Sequence, residues 1–94
     1  MPTINNASYT YTGDVANGMP NGRGKMIWMT DNSVYEGDFV NGRYHGKGRW
    51  ILPSGAVYEG DFVGHVQHGR GKLMRPDGSV LFEGNFVNGE PDIG

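Results

Sequence analysis

Two acidic pairs have the spacing that general acid–base chemistry uses. Glu36 and Asp38 form one pair, Glu59 and Asp61 form the other, and one glycine separates the members of each. Paired carboxylates hydrolyse glycosides when they flank a single sugar bond. Both pairs, however, belong to the same string, Val-Tyr-Glu-Gly-Asp-Phe-Val, which the chain contains twice. A catalytic site is singular, so we expect these recurring acids to pair with basic residues and not to catalyse.

The histidines, serines and glycine-rich segments make no stronger case for an enzyme. His45 and His68 precede equivalent glycines in equivalent turns, which predicts a turn-stabilising role. A zinc site built from His65 and His68 would lack the three or four protein ligands that zinc takes. The Gly-Arg-Gly-Lys of residues 22–25 lacks the pattern of a phosphate-binding loop, and the serines at turns have no histidine at a fixed spacing to activate them. We therefore predict no enzyme, no metal and no other cofactor.

Composition narrows the class of protein further. The chain has 94 residues, which suits one domain, and no cysteine, which excludes disulfides and thiolate metal sites. A formal charge of −2 gives no general attraction to nucleic acid. No apolar run is long enough to span a membrane, and the first residues have neither the basic start nor the apolar run of a signal peptide. We expect a cytoplasmic location.

The chain repeats itself at a nearly constant period. The anchor glycines Gly13, Gly37, Gly60 and Gly84 lie 24, 23 and 24 residues apart. Self-similarity at a fixed period of this length predicts a repeat array. The predicted single domain, residues 1–94, contains repeats at about residues 11–34, 35–57 and 58–81, with a partial repeat or cap at 82–94.

Short alternating apolar segments between turn signals predict an all-β meander. The seven predicted strands cover residues 8–15, 23–29, 33–40, 47–52, 56–63, 70–75 and 79–87. We call the Tyr-x-Gly-x-Phe strand of each repeat A and the Gly-x-Gly-x-apolar strand B, and we predict a broad A-to-B turn and a tight B-to-A turn. One-residue differences in repeat length predict β-bulges near Ile27-Trp28 and near residues 79–81. After Gly89 we predict no further strand, which leaves the last A strand as an open edge or a cap.

Strand residues alternate between the two faces of a sheet, so the repeat divides into two sets. One face carries rings separated by glycines, as in Tyr35, Gly37 and Phe39. The opposite face is charged, with acids on the A strands beside basic residues on the B strands; opposite charges on neighbouring strands contribute roughly 0.2–1 kcal/mol per pair. We call this set the charge ladder. Its members are Asp14, Glu36, Asp38, Glu59, Asp61 and Glu83 on the A strands and Arg23, Lys25, Lys47, Arg49, Arg70 and Lys72 on the B strands.

These residues resemble a known repeat. Tyr35-Glu36-Gly37-Asp38-Phe39, followed by Gly42 and by His45-Gly46-Lys47-Gly48, is similar to the MORN repeat, and the resemblance covers nearly the whole chain after residue 10. It implies β-hairpins stacked into a single-layer, twisted antiparallel sheet without helical covering. It also implies non-enzymatic work: protein scaffolding, dimerisation or binding of phospholipid head groups. The chain departs from the pattern at His65, which replaces a glycine, and at Val15, which replaces a phenylalanine.

The aromatic face is the predicted partner site. One sheet without a second layer leaves such a face partly uncovered, and contiguous apolar surface marks interaction sites. We predict a protein-interaction module (adaptor, scaffold or inhibitor) that contacts a protein or peptide through Tyr11, Tyr35, Phe39, Trp50, Tyr58, Phe62, Phe82 and Phe86. The alternative is peripheral binding of acidic phospholipids through the six basic residues of the charge ladder. Addition of a peptide strand to the sheet edge, or a homodimer through the terminal strand edge, is compatible with the first hypothesis.

Overall fold

A computed structural model describes residues 3–92, which form one open sheet of nine antiparallel strands in chain order. The strands are β1 (Thr3–Asn5), β2 (Tyr9–Ala16), β3 (Met19–Trp28), β4 (Val34–Val40), β5 (Arg43–Ile51), β6 (Val57–Val63), β7 (Val66–Met74), β8 (Val80–Val87) and β9 (Glu90–Pro91). The described residues contain no helix, and the sheet measures 40 × 23 × 18 Å. The predicted all-β single-layer meander is confirmed. Residues 1–2 and 93–94 of the predicted domain lie outside the described residues.

The seven predicted strands correspond to β2–β8, and two short strands were missed. In β1, Ile4 pairs with Tyr11, and the turn into β2 closes on the Asn6 side chain, which accepts backbone N–H bonds from Ser8 and Tyr9. The prediction of no strand after Gly89 is wrong, because β9 pairs with the end of β8. The reason is that the turn after β8 has the same conformation as the earlier hairpin turns, so it sends the chain back along the sheet.

The predicted turn widths are reversed. Each A-to-B turn has two residues, and Asn41-Gly42 shows the type: both φ angles are positive, 51° and 80°. This is the type I′ geometry, whose twist matches that of the flanking strands. The B strands consequently begin four residues before their predicted starts, at Met19, Arg43 and Val66. The B-to-A connections are the wider ones.

The two predicted bulges have different outcomes. Leu73 pairs with Phe82 and Met74 with Val80, which leaves Leu81 as an extra residue and confirms the bulge near residues 79–81. The bulge near Ile27-Trp28 is wrong. The extra residue of the first repeat lies in the loop after β3, where the Trp28 N–H donates to the Ser33 carbonyl oxygen. In the second repeat the Leu52 N–H donates to the Ala56 carbonyl oxygen, which encloses one residue fewer.

Irregularities that the sequence analysis missed lie at the aspartate of the first three A strands. The register shifts at Asp38, which faces residues 45–47 of β5. Its Oδ2 atom accepts the backbone N–H of Lys47 at 3.3 Å, and the equivalent bond recurs in the first and third repeats at 3.1 and 3.2 Å. The aspartate thus supplies an acceptor to an N–H that the irregular ladder leaves free.

Candidate functional site

Six of the eight rings of the predicted partner site are buried inside the fold. We call these six the aromatic spine; they are 0–2% exposed and comprise Tyr11, Tyr35, Phe39, Tyr58, Phe62 and Phe86. Each spine tyrosine meets phenylalanines edge to face, with ring centroids 4.8–5.1 Å apart. Trp50 and Phe82 are only partly buried. The spine is therefore the core of the sheet, and of the eight rings only Trp50 and Phe82 present surface to a partner.

The rings of the spine pack against the sheet because each spine tyrosine lies over a glycine of the next B strand. The Tyr35 ring occupies the space that a Cβ on Gly48 would need, and its hydroxyl donates to the Asp38 carbonyl oxygen at 2.8 Å. The same arrangement recurs at Tyr11 and Tyr58. Burial and the nearby Asp61 carboxylate raise the pKa of Tyr58 to about 12. A single layer of rings over bare backbone thus replaces the second layer that a sheet normally needs.

The charge ladder forms as expected, with acidic and basic strands alternating. Ion pairs join Arg23 to Asp38 at 3.3 Å, Lys47 to Asp61 at 2.5 Å and Arg49 to Glu59 at 3.7 Å. The register also places an acid opposite Lys25 and Lys72. Arg70 differs, because it faces Asn85 where the earlier repeats have an aspartate. The six predicted lipid-binding residues thus lie together on one face, but among acids.

Two of the three histidines accept backbone hydrogen bonds. His45 and His68 lie within β5 and β7 and not in turns as predicted. His68 accepts the Asn88 N–H at 3.4 Å through Nδ1 and so supports the turn after β8; in the first repeat, Asn21 does the same for the turn after β4. His65 behaves differently. It lies in its turn at φ 86° and accepts the Tyr44 N–H at 3.3 Å through Nδ1. Its proton therefore resides on Nε2 when the ring is neutral.

Around His65 and Tyr44 the structure forms a feature that we call the aromatic cleft. It is a concave hollow of about 270 Å³. The Tyr44 ring stacks on spine residue Tyr35 at 3.8 Å, and the His65 ring stacks on the other side of Tyr44 at 4.1 Å. Trp28 stands perpendicular to His65 and donates its Nε1–H to the Tyr44 hydroxyl at 2.5 Å. The lining residues are Trp28, Thr30, Asp31, Ser33, Tyr44, Trp50 and His65.

The four ring-bearing residues of the cleft depart from the repeat, whereas Asp31 and Ser33 have counterparts in Asp77 and Ser79. Tyr44 stands where the first and third repeats have Pro20 and Gln67, and His65 stands where the other turns have glycine. Trp50 pairs with a spine tyrosine at the position that holds Met26 and Leu73 in the other repeats, and Leu52 is the counterpart of Trp28. Asp31 belongs to the first B-to-A loop, which is one residue longer than the second. Unlike the spine and the ladder, this site occurs once.

The electrostatics of the cleft are those of an acidic, aromatic hollow. Hydrogen bonds from Ser33 lower the pKa of Asp31, which keeps it ionised. Burial raises the pKa of Tyr44, an effect that its bond with Trp28 partly offsets. Burial, and then the charge of Arg43, lower the pKa of His65 and favour its neutral form. The seven lining residues include no lysine or arginine.

One polar atom in the wall of the cleft is unpaired. Trp50 Nε1 is enclosed and has no acceptor within residues 3–92. A buried donor without a partner costs about 1–3 kcal/mol. Such groups call for an explanation, and a role in recognition is one.

A larger hollow, of about 430 Å³, lies beside the A-to-B turns. It is lined by Val40, Asn41, Arg43, His45, Val63 and Gly64. Its valines recur at equivalent repeat positions, as do the asparagine and glycine that shape the turns. Its lining therefore reflects the architecture, and the cleft is the stronger candidate.

Sequence reasoning named two cleft residues, Trp50 and His65, and missed Trp28, Tyr44 and Asp31. The signal that would have found Trp28 and Tyr44 is their departure from the repeat; Asp31 has a counterpart in Asp77 and gives no such signal. Within residues 3–92, no three histidine, aspartate or glutamate side chains are grouped so as to hold a metal ion. The same residues contain no helix with the length and apolar character to cross a membrane.

Comparison with known proteins agrees with the geometry. A family model described as the MORN repeat matches residues 11–33, 35–57, 58–80 and 82–92. A search of curated proteins found no match. MORN repeats are commonly protein- or membrane-binding modules. The matches cover most of the chain and coincide with its hairpins, so this protein belongs to the MORN repeat family.

Proposed function

We propose that this protein is a non-enzymatic protein-interaction module whose recognition site is the aromatic cleft. The observation that carries the proposal is that the departures from the repeat converge on one place. The repeated residues form the spine, the ladder and the turns. The side chains that differ, Tyr44, Trp50 and His65 among them, come from different hairpins and meet around one hollow.

The composition of the cleft favours a protein partner. Tryptophan and tyrosine are the residues that most often dominate binding energy in protein interfaces, and both tryptophans of the chain line the cleft. Its volume, about 270 Å³, is below the roughly 300–1,000 Å³ of pockets that enclose a small-molecule ligand. It therefore suits one inserted side chain of a partner better than a cofactor.

The cleft is also pre-organised for binding. The stack of Tyr35, Tyr44 and His65 and the bond from Trp28 fix its rings before any partner arrives. Because side-chain ordering on binding costs about 0.5–1.5 kcal/mol per flexible residue, fixed rings lose less free energy.

Binding of acidic phospholipids is the weaker proposal. Each basic residue near an anionic membrane contributes about 1 kcal/mol. However, the acids of the ladder lie beside those basic residues and offset their charge, as in the pair Lys47–Asp61. Co-sedimentation with anionic vesicles at low and physiological salt tests this alternative, and salt-sensitive binding that Lys47→Ala weakens would favour it.

The test of the main proposal uses the repeat's own residues. Peptides are selected against the wild-type protein from a displayed random library and their affinities are measured by fluorescence polarisation. A regularised variant, Tyr44→Gln/Trp50→Leu/His65→Gly, places the third-repeat or turn residue at each cleft position. We expect its affinity for the selected peptides to fall at least tenfold. Leu73→Met, a swap at a matched position outside the cleft, is the control and should bind as the wild type does.

Circular dichroism and thermal unfolding accompany each variant. Should the triple variant fold poorly, Trp28→Leu alone provides the test, because leucine occupies the equivalent position in the second repeat. Selected peptides that bind the folded cleft variants with wild-type affinity would refute the proposal.

A further inference from the structure

We propose that the aromatic cleft accepts the ammonium group of a lysine side chain, free or methylated, from the partner protein. This inference rests on the proposed function and names the chemistry of the residue that enters the site.

Charge complementarity is the first argument. Asp31 is the only ionised group among the seven lining residues when His65 is neutral. A partner carboxylate or phosphate entering the cleft would be repelled by Asp31. A purely apolar side chain would shield this carboxylate from water without replacing its hydration. A cation satisfies the carboxylate and is repelled by no lining residue.

Ring geometry is the second argument. Cations bind over aromatic faces, and tryptophan gives the strongest attraction. The planes of Trp28 and His65 are perpendicular, 90° apart, with centroids separated by 6.2 Å. Tyr44 is stacked between Tyr35 and His65, so its ring faces are covered and it contributes its edge and hydroxyl, while the Trp28 and His65 rings give the cleft walls in two directions. A compact ammonium group can contact both walls, whereas a planar guanidinium stacks well on only one.

The polar groups of the cleft are arranged consistently with this occupant. The Tyr44 hydroxyl accepts the Trp28 N–H bond, so an oxygen with a spare lone pair remains at the cleft. Asp31 Oδ1 accepts the Ser33 N–H at 2.9 Å, and the remaining lone pairs of the carboxylate retain capacity for an ammonium donor. The nearest basic influence, Arg43, lines the neighbouring hollow and not the cleft.

The experiment uses intrinsic tryptophan fluorescence, because both tryptophans of the chain line the cleft. The full chain is titrated with capped tripeptides whose central residue is lysine, trimethyl-lysine, the uncharged carbon analogue of trimethyl-lysine, or acetyl-lysine. We expect saturable changes with the two cationic peptides. We expect the uncharged analogue and acetyl-lysine to bind at least tenfold more weakly than trimethyl-lysine.

Variants assign the effect to the cleft. Asp31→Asn should weaken the cationic peptides about two- to fivefold, the effect expected of an exposed ion pair. The matched control is Asp77→Asn: Asp77 also accepts a serine N–H at 2.9 Å in a B-to-A loop, but lies outside the cleft. Trp28→Leu should weaken binding about tenfold while circular dichroism stays unchanged. If Trp28→Leu fails to fold, the Asp31 and Asp77 comparison still decides.

Each outcome is decisive. Equal binding of the charged and uncharged analogues, no fluorescence response to any cation, or equal losses for Asp31→Asn and Asp77→Asn would overturn the inference. Phosphocholine vesicles binding where lysine peptides do not would also overturn it, since the occupant would then be a lipid head group. Library peptides that need the cleft but contain no lysine would refute this inference alone. Library peptides that bind the cleft variants as tightly as the wild type would refute both the proposed function and this inference.

Discussion

Gly48→Ala should be among the most damaging small substitutions in the protein. An added Cβ would overlap the hydroxyl and two ring carbons of Tyr35, and that ring is held between Tyr44 and two edge-on phenylalanines. The φ angle of Gly48 is not positive, so the backbone itself accepts alanine. The substitution therefore isolates the steric clash between ring and backbone.

The expected cost follows from the contacts. Overpacking in a closed core costs about 1–3 kcal/mol. Displacement of Tyr35 also breaks its bond to the Asp38 carbonyl, which adds about 1 kcal/mol. Replacing glycine by alanine returns about 0.5–1 kcal/mol of chain entropy. The net loss is about 1–3.5 kcal/mol, or roughly 4–28 °C in Tm for a domain of this size.

Urea and thermal unfolding measure this loss, with Gly84→Ala as the matched control. Gly84 is the A-strand glycine of the last repeat. Like Gly48, it lies beside an aromatic ring and has no positive φ, but an added Cβ would lie 3.2 Å from Phe82 and meet no hydroxyl. We expect Gly84→Ala to cost less than about 1 kcal/mol. In a double-mutant cycle, Tyr35→Leu should cost less in the Gly48→Ala background, because the clash is then already relieved. A Gly48→Ala protein as stable as the Gly84→Ala protein would show that ring-over-glycine packing does not hold the sheet together.

Three further predictions concern titration and charge. The pKa of Tyr58 is raised from 10.0 to about 12, so the neutral phenol stabilises the fold fully below pH 10. This stabilisation is lost as the pH rises towards 12, at up to about 1.4 kcal/mol per pH unit. Phenolate absorbance that saturates by pH 11 without unfolding would contradict the prediction. The pKa of His65 is lowered, so its contribution to the free energy of unfolding is present above about pH 6.5 and declines as the pH falls below it. In urea titrations, His65→Gly should therefore lose less stability than the wild type as the pH falls. An unchanged pH dependence would show that another group causes the decline. Lys47→Met removes the ion pair between Lys47 and Asp61, whose side chains are 73% and 31% exposed respectively. The loss in the free energy of unfolding should be only about 0.2–1 kcal/mol. The difference from the wild type should vanish in 1 M salt, and a difference that persists there would indicate lost packing.

The repeat and its two faces were predictable because side-chain alternation has a period of two and survives small errors in strand ends. Tyr35 and Trp50 were placed on one face, and the register pairs them directly. The turns were harder. Asn41-Gly42 was recognised as a turn signal, but the glycines that follow at 46 and 48 suggested a wide loop, whereas the structure keeps both in β5.

The exposure of the aromatic face was not predictable from alternation. A period of two shows which side a ring is on, but not how far the sheet curves or how the rings lean. Tyr58 is fully buried because it lies along the sheet over Gly71 and meets phenylalanines of two repeats. The cleft was missed for a related reason, since Trp28 and His65 are far apart in sequence and meet only through this curvature.

The spine has a consequence for how the protein folds and evolves. Tyr35 and Tyr58 each touch a phenylalanine of their own repeat and one of the next, and Tyr11 touches Phe39 of the next repeat. Coupling within the spine therefore runs between neighbouring repeats, as in a one-dimensional chain of interacting units. Excision of residues 35–57 would join Val34 to Tyr58 in phase and bring Tyr11 beside Phe62 with the same kind of coupling. The shortened chain would keep its architecture, yet it would lose Tyr44 and Trp50. The number of repeats is thus free to vary, whereas the cleft uses residues from three successive repeats and is lost when any one of them is removed.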